Sequence, residues 1–324
     1  MQERGAGPAR QILVLIGPGS QASDVVSIAE VFCSAARYAN RAPAYWVDLI
    51  SVDEGPCRLS SGIVVQPGSC LSAWDGPVDT LWVAGFPGMS PLVSDAAVLD
   101  WLRRLVPDCR RVAASCTASF VLAEAGCLDG RRATTHWQMA DQFAARYPAV
   151  RLDADAVFVE DGPMWTSAGM SASVDAALAM VEADCGRTAA LRVAHDMILY
   201  ARRSGGQPQL SSRLAAQFAE MPAIQQLQLW ICDNLREDLA VERLAERVHM
   251  SPRNFARVFL RETGHTPGLF VERARVELAR GLLDERMPLQ DVASQCGFLN
   301  ANALRRAFVR QVGLPPGGYR QRNG

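Results

Sequence analysis

The sequence predicts a two-domain chain: an α/β domain built on a mostly parallel sheet, then an all-α domain with two helix-turn-helix units. Three observations predict it. Residues 11 to 203 alternate short β-rich runs with helical patterns, as parallel sheets covered by helices require. RRSGGQPQLSS then interrupts every periodicity with Gly, Gln and Pro, which marks a boundary. The C-terminal third carries one pattern twice: Val241, Leu244, Ala245, Phe255, Arg257, Phe259, Gly264 and Pro267 recur as Leu289, Val292, Ala293, Leu304, Arg306, Phe308, Gly313 and Pro316. The offset is 48 residues, then 49 after a one-residue insertion. At 324 residues the chain exceeds one typical core. The expected division is an α/β domain at 10–203, a linker at 204–218 and a helical domain at 219–324.

In the first domain QILVLI reads as a buried strand and VVSIAEVFCSAARYA as the helix behind it. YWVDLIS, VDTLWVAG, RRVAAS and VFVE supply further strands. MSASVDAALAMVEADCG is a helix ending at Gly186, and Leu191 to Arg203 continues as helix. RRVAASCTASFVLAEAGCLDG reads as strand, sharp turn, helix, with Cys116 at the turn. A residue there projects beside the positive end of the next helix, which lowers a thiol pKa and is how α/β enzymes present a nucleophile. VDTLWVAGFPGM ends a strand at Gly85, whose neighbouring N–H groups suit an anion pocket at the same carboxyl edge. Trp46, Trp74, Trp82, Trp101 and Trp165 are expected in the core, with Trp82 and Phe86 also flanking the pocket.

In the second domain AIQQLQLWICDNL leads into VERLAERV and a helix capped by Ser251. Thr266 with Pro267 starts a connecting helix whose Val271, Ala274, Leu278 and Leu282 form one apolar stripe. That helix would fix the two units about one DNA turn apart, roughly 34 Å, so that both second helices enter successive major grooves. Phe255 and Phe259 must face the core, so Arg253 and Arg257 share the opposite face, where guanidiniums one turn apart suit guanine edges. Asn254 reads adenine or holds a phosphate. In the second unit Leu304 and Phe308 take the core places, leaving Asn302, Arg305 and Arg306 toward DNA and Asn300 as N-cap. The net charge of −1 hides an asymmetry: residues 1 to 210 hold 17 Arg against 22 acids, residues 211 to 324 hold 16 Arg against 12. Positive charge gathers where the duplicated helices lie, as a phosphate-contacting surface needs. Lys is absent throughout, which reads as composition bias, since a DNA-binding face alone would not empty the other domain.

The second domain resembles the AraC/XylS family of transcription regulators over roughly residues 219 to 322, through LAERVHMSPRNFARVF, GHTP, VASQCGF, ALRRAF and GLPPGGYR. That family usually has Ser where Asn300 and Asn302 stand and an aromatic where Leu304 stands. The first domain resembles the DJ-1/PfpI superfamily (class I glutamine amidotransferase-like), in the version fused to AraC-type domains. The matching stretches are ASCTASFVLAEAGCLDGRRATTHW, TSAGMSASVDAAL and RRSGGQPQ. This implies a flavodoxin-like parallel sheet, with Cys116 at the elbow position, Glu30 or Asp24 as nearby carboxylate, and His136 at a pocket position. The superfamily's hydrolases commonly have His after the cysteine, where this chain has Thr117. Ala118 and Phe86 stand where glycines are usual. A working oxyanion hole is therefore not expected.

The resemblances imply a sequence-specific DNA-binding regulator controlled by a small metabolite, often nitrogen-containing, bound by Asp24, Glu30, Gly85, Phe86, Cys116, Thr117 and His136. Ser251, Arg253, Asn254, Arg257, Asn300, Asn302, Arg305 and Arg306 would contact DNA. Expected partners are double-stranded DNA, the effector, a second copy in a homodimer, and RNA polymerase. No catalytic residue is expected, Cys116 being only nucleophile-like. Two alternatives are a cysteine-dependent hydrolase or hydratase and a Cys116 oxidation switch. No cofactor or metal is expected: nine cysteines form no C-x-x-C pair, and the four histidines lack ligand neighbours at suitable spacing. The polar start MQERGAGPARQ and the lack of an apolar run near 20 residues give a cytoplasmic expectation with no membrane contact.

Overall fold

The computed structural model describes residues 10–38, 45–284 and 287–323, in two compact units that divide between Gly205 and Gly206. In the first unit the strands are β1 (Arg10–Ile16), β2 (Tyr45–Ser51), β3 (Cys57–Arg58), β4 (Val64–Val65), β5 (Ser69–Cys70), β6 (Thr80–Val83), β7 (Arg111–Ser115), β8 (Arg132–Ala133), β9 (Arg151–Leu152), β10 (Phe158–Asp161) and β11 (Met164–Ser167). The helices are α1 (Ala22–Tyr38), α2 (Ala96–Leu105), α3 (Ala118–Glu124), α4 (Ala140–Arg146), α5 (Ser171–Cys185) and α6 (Arg187–Asp196).

The main sheet runs β10-β11-β7-β6-β1-β2-β5, parallel except for the edge pairing of β10 with β11. Strand residues alternate between its faces. Leu13, Leu15, Leu81, Val83, Val112 and Ala114 point to the side covered by α2 and α3. Ile12, Val14, Ile16, Trp82 and Ala113 point to the side covered by α1, α5 and α6. The chain passes from β1 outward to β2 and β5, then returns to β6 on the other side of β1. The carboxyl ends of β1 and β6 therefore flank a topological switch point, where crevices of such sheets form.

Two expectations fail here, and one strand was not foreseen. The helix from Leu191 to Arg203 stops at Asp196: Ile198 takes φ 55°, and the Arg203 N–H and guanidinium bind Asp175 and hold the next segment out of helix. Trp46 is 64% exposed near the start of β2, away from the two residues that pair with β5, while Trp82, Trp101 and Trp165 are buried. MWTS forms β11, a strand not foreseen, paired in parallel with β7.

The second unit comprises α7 (Ser212–Ala215), α8 (Pro222–Asp233), α9 (Val241–Arg247), α10 (Pro252–Thr263), α11 (Pro267–Asp284), α12 (Leu289–Gln295), α13 (Ala301–Val312) and α14 (Pro316–Asn323). The expected linker thus contains α7 and the fully buried Ala216. Two cores form. One gathers Ile224, Leu227, Ile231, Leu244, Phe255 and Phe259; the other gathers Val292, Ala293, Leu304, Phe308 and Tyr319. Helix α11 serves both, with Phe270, Val271 and Ala274 in the first and Val276, Ala279 and Leu283 in the second. Its apolar surface is consequently not one stripe: Leu278 is 40% exposed. Ala274 and Val276 lie about 200° apart around an α-helix, so the two halves present opposite sides to their cores. Among the described residues no helix is long and apolar enough to cross a membrane, and no group of three His, Cys, Asp or Glu is placed to hold a metal ion.

Candidate nucleic-acid interface and elbow site

Each duplicated unit has a capped second helix. Ser251 Oγ accepts from the Asn254 N–H at 3.4 Å and Pro252 occupies the first turn of α10; Asn300 Oδ1 accepts from the Ala303 N–H at 2.9 Å at the start of α13. Both helices end on a left-handed glycine, Gly264 and Gly313. Phe255, Val258 and Phe259 bury one face of α10, and Leu304, Ala307 and Phe308 the matching face of α13. Arg253, Arg257, Asn302, Arg305 and Arg306 are consequently exposed, while Asn254 is half-buried.

These arginines differ electrostatically from their neighbours. Arg243 lies against Glu246 and Asp238, Arg261 against Glu262, and Arg310 against Glu272. Among the described residues no carboxylate pairs with Arg253, Arg257, Arg305 or Arg306. Arg257 donates to Asn254 Oδ1 at 2.9 Å and Arg305 to Asn302 Oδ1 at 3.4 Å, so each helix carries an Asn that orients an Arg one turn on. Asn300 spends its oxygen on the cap, which leaves its amide NH2 as a donor.

The two units are tied together. Arg275 of α11 donates to the carbonyls of Leu235 at 3.0 Å and Glu237 at 3.4 Å, and Gly297 of the second unit packs directly on Leu235.

At the carboxyl edge of the sheet, Cys116 turns the chain from β7 into α3 with φ 53°. The cramped elbow needs two glycines: a Cβ on Gly85 would lie 2.7 Å from the Cys116 Cβ, and one on Gly169 2.5 Å from it. Thr117 donates to the Phe86 carbonyl at 3.0 Å, and Thr135 and Ser119 donate to the Cys116 carbonyl at 3.2 and 3.0 Å. The Phe86 ring is buried over Gly17 and Gly19 rather than open to a substrate.

Asp24, in the first turn of α1, is fully buried and accepts from the N–H of Met170 at 2.8 Å, Ser173 Oγ at 3.2 Å and the N–H of Gly85 at 3.3 Å. The Gly85 N–H expected to help form an anion pocket is instead bonded to the chain's own carboxylate. Ser173 also lies 2.9 Å from Ser115 Oγ, which accepts from Trp82 Nε1 at 2.7 Å. Burial raises the Asp24 pKa to about 6 against the three hydrogen bonds. Burial first, then the Asp24 charge, pushes the Cys116 thiol up to about 12. The activated thiol inferred from the elbow is thus corrected: with 5% exposure and a carboxylate beside it, desolvation outweighs the helix end.

Glu30 is exposed on α1 beside Cys33, and no described hydrogen bond joins it to Cys116 or Asp24. His136 is half-buried; its Nδ1 caps the Gln138 N–H at 3.4 Å, and burial lowers its pKa. Sequence reasoning missed Met170 (φ 54°), Ser173, Ser115 and Gly169. The TSAGMSAS stretch was the available signal.

Comparison with known proteins gives a helix-turn-helix domain model matching residues 244–322 and a DJ-1/PfpI family model matching residues 10–183. The HTH-type transcriptional regulator CdhR of Pseudomonas aeruginosa is 30% identical, covering 93% of this chain and 89% of its own length. Isonitrile hydratase of Pseudomonas putida is 33% identical but covers 54% of this chain and 72% of its own. A THiJ/PfpI family protein from Pseudomonas syringae superposes with a TM-score of 0.55 at 20% identity, over 75% of this chain and 90% of its own, which supports the fold.

Proposed function

The chain belongs to the AraC-type helix-turn-helix transcriptional regulators that carry a DJ-1/PfpI domain, and from that premise we propose which residues read DNA and what controls them. It is a DNA-binding regulator rather than an enzyme: CdhR matches nearly the whole chain, whereas the hydratase matches about half of it. Arg253 and Arg257 on one helix, and Asn302, Arg305 and Arg306 on the other, contact base edges, while Ser251, Asn254 and Asn300 contact phosphate or the adjoining base. The observation that carries this reading is the set of exposed arginines without carboxylate partners on two capped helices that share the brace α11.

The first unit binds a small metabolite next to Cys116, with Asp24, Gly85, Phe86, Thr117 and His136 around it. Every described polar contact of Asp24 is internal, so a ligand reaches it by displacing one of them, such as the N–H of Met170, a residue 46% exposed. The effector acts through unequal affinity for two arrangements of a homodimer, and RNA polymerase is the further partner. Reading DNA implies work in the cytoplasm. The test is binding of the full chain to duplexes selected from a random pool: enrichment of one sequence supports the reading, and a flat pool refutes it.

A further inference from the structure

The duplication supplies its own control, because the second unit contains one residue that the first lacks. In the first unit the turn after α9 runs through His249, whose N–H donates to Glu246 O at 3.1 Å with φ 55°, and Met250, whose N–H donates to Ala245 O at 3.0 Å. In the second, Gly297 donates to Ser294 O at 3.1 Å with φ 76°, and Phe298 donates to Ala293 O at 2.8 Å. Met250 and Phe298 both tuck against their cores. The residue after Met250 is the cap Ser251, but between Phe298 and the cap Asn300 stands Leu299. Leu299 is therefore the insertion. It is 92% exposed, so it makes none of the usual apolar contact from the residue before an N-cap to the first turns of the helix.

Phe298 before it turns into the core, and after it come the exposed Asn300, Asn302 and Arg305 at the amino end of the second helix, the end that faces base edges in such units. A lone leucine there has one apolar counterpart on the major-groove floor, the thymine C5 methyl group. We propose that Leu299 is a specificity-determining residue that reads a thymine through that methyl group. The proposal rests on the DNA-reading role assigned above to the second helix.

The test uses the full chain and duplexes enriched from a random pool. Each thymine of the enriched site is replaced singly by deoxyuridine, which removes only the methyl group. The wild type should lose about fourfold in affinity at one thymine, the weight of burying one methyl-sized group. Leu299→Ala should bind the thymine duplex about fourfold more weakly and be indifferent to uracil at that position. Wild-type indifference to every uracil, or a uracil effect that persists in Leu299→Ala, overturns the proposal. Loss of transcriptional regulation by Leu299→Ala at unchanged DNA affinity also overturns it and makes the leucine a protein contact. A pool that yields no enriched sequence removes the underlying DNA-reading assignment with it.

Discussion

Gly297 faces the carbonyl oxygen of Leu235 so closely that any Cβ at position 297 would overlap it, and its φ of 76° independently excludes most side chains. The turn of the second helix-turn-helix is thereby locked onto the loop that leaves α8, beside the Arg275 bonds to the same loop. This fixes where α13 stands. Gly297→Ala should cost about 1–3 kcal/mol through the backbone alone, lowering the melting of the C-terminal unit by roughly 5–15 °C. Calorimetry of the full chain checks this; an unchanged transition would show that the contact yields without cost.

Arg257→Ala should weaken binding to the selected duplex by about 1–3 kcal/mol while leaving random DNA nearly untouched. Asn254, which holds that guanidinium at 2.9 Å, should give a smaller loss of the same kind. Fluorescence anisotropy on both duplexes decides: equal losses on the two would make Arg257 a phosphate contact.

Asp24 makes stability depend on pH in a direction opposite to most carboxylates. Its folded pKa, about 6, lies above the ordinary value of 3.8, so the folded state binds the extra proton between those limits. This contribution is therefore favourable at low pH and falls as pH rises from about 4 to 6, by on the order of 3 kcal/mol. Denaturation of the wild type and Asp24→Asn, compared from pH 4 to 7, should differ by that slope. Parallel profiles would mean that Asp24 titrates normally.

Cys116, neutral and enclosed, should resist alkylation at pH 8, whereas the exposed Cys33 reacts. Peptide mass spectrometry after iodoacetamide treatment reads both sites at once. Peroxide should also change DNA binding equally in the wild type and Cys116→Ser; a response confined to the wild type would restore the oxidation switch.

What was legible in the sequence was local and periodic. QILVLI shows the β1 strand outright, and Ser251, Gly264, Asn300 and Gly313 punctuate the reading helices because caps and left-handed stops are encoded by single residues. The errors arise where distant segments meet. Asp24 and Gly85 were expected beside Cys116, but nothing near it signals how tightly they and Gly169 close around it, so the helix end looked dominant when burial is. Nothing in RVAHDMILY announces the left-handed Ile198 that ends α6. Leu278 fits a helical stripe, but α11 turns different sides to two cores, which one periodicity does not represent.

On the proposed reading, the second helices of both units contact one DNA sequence together. The most direct measurement of this is the affinity of the full chain for its selected duplex when 5 base pairs, about half a turn, are inserted between the two half-sites. Because α11 and the Leu235 contacts brace the units, specific binding should fall to the random-DNA level. Undiminished affinity for the 5-base-pair insertion would contradict it.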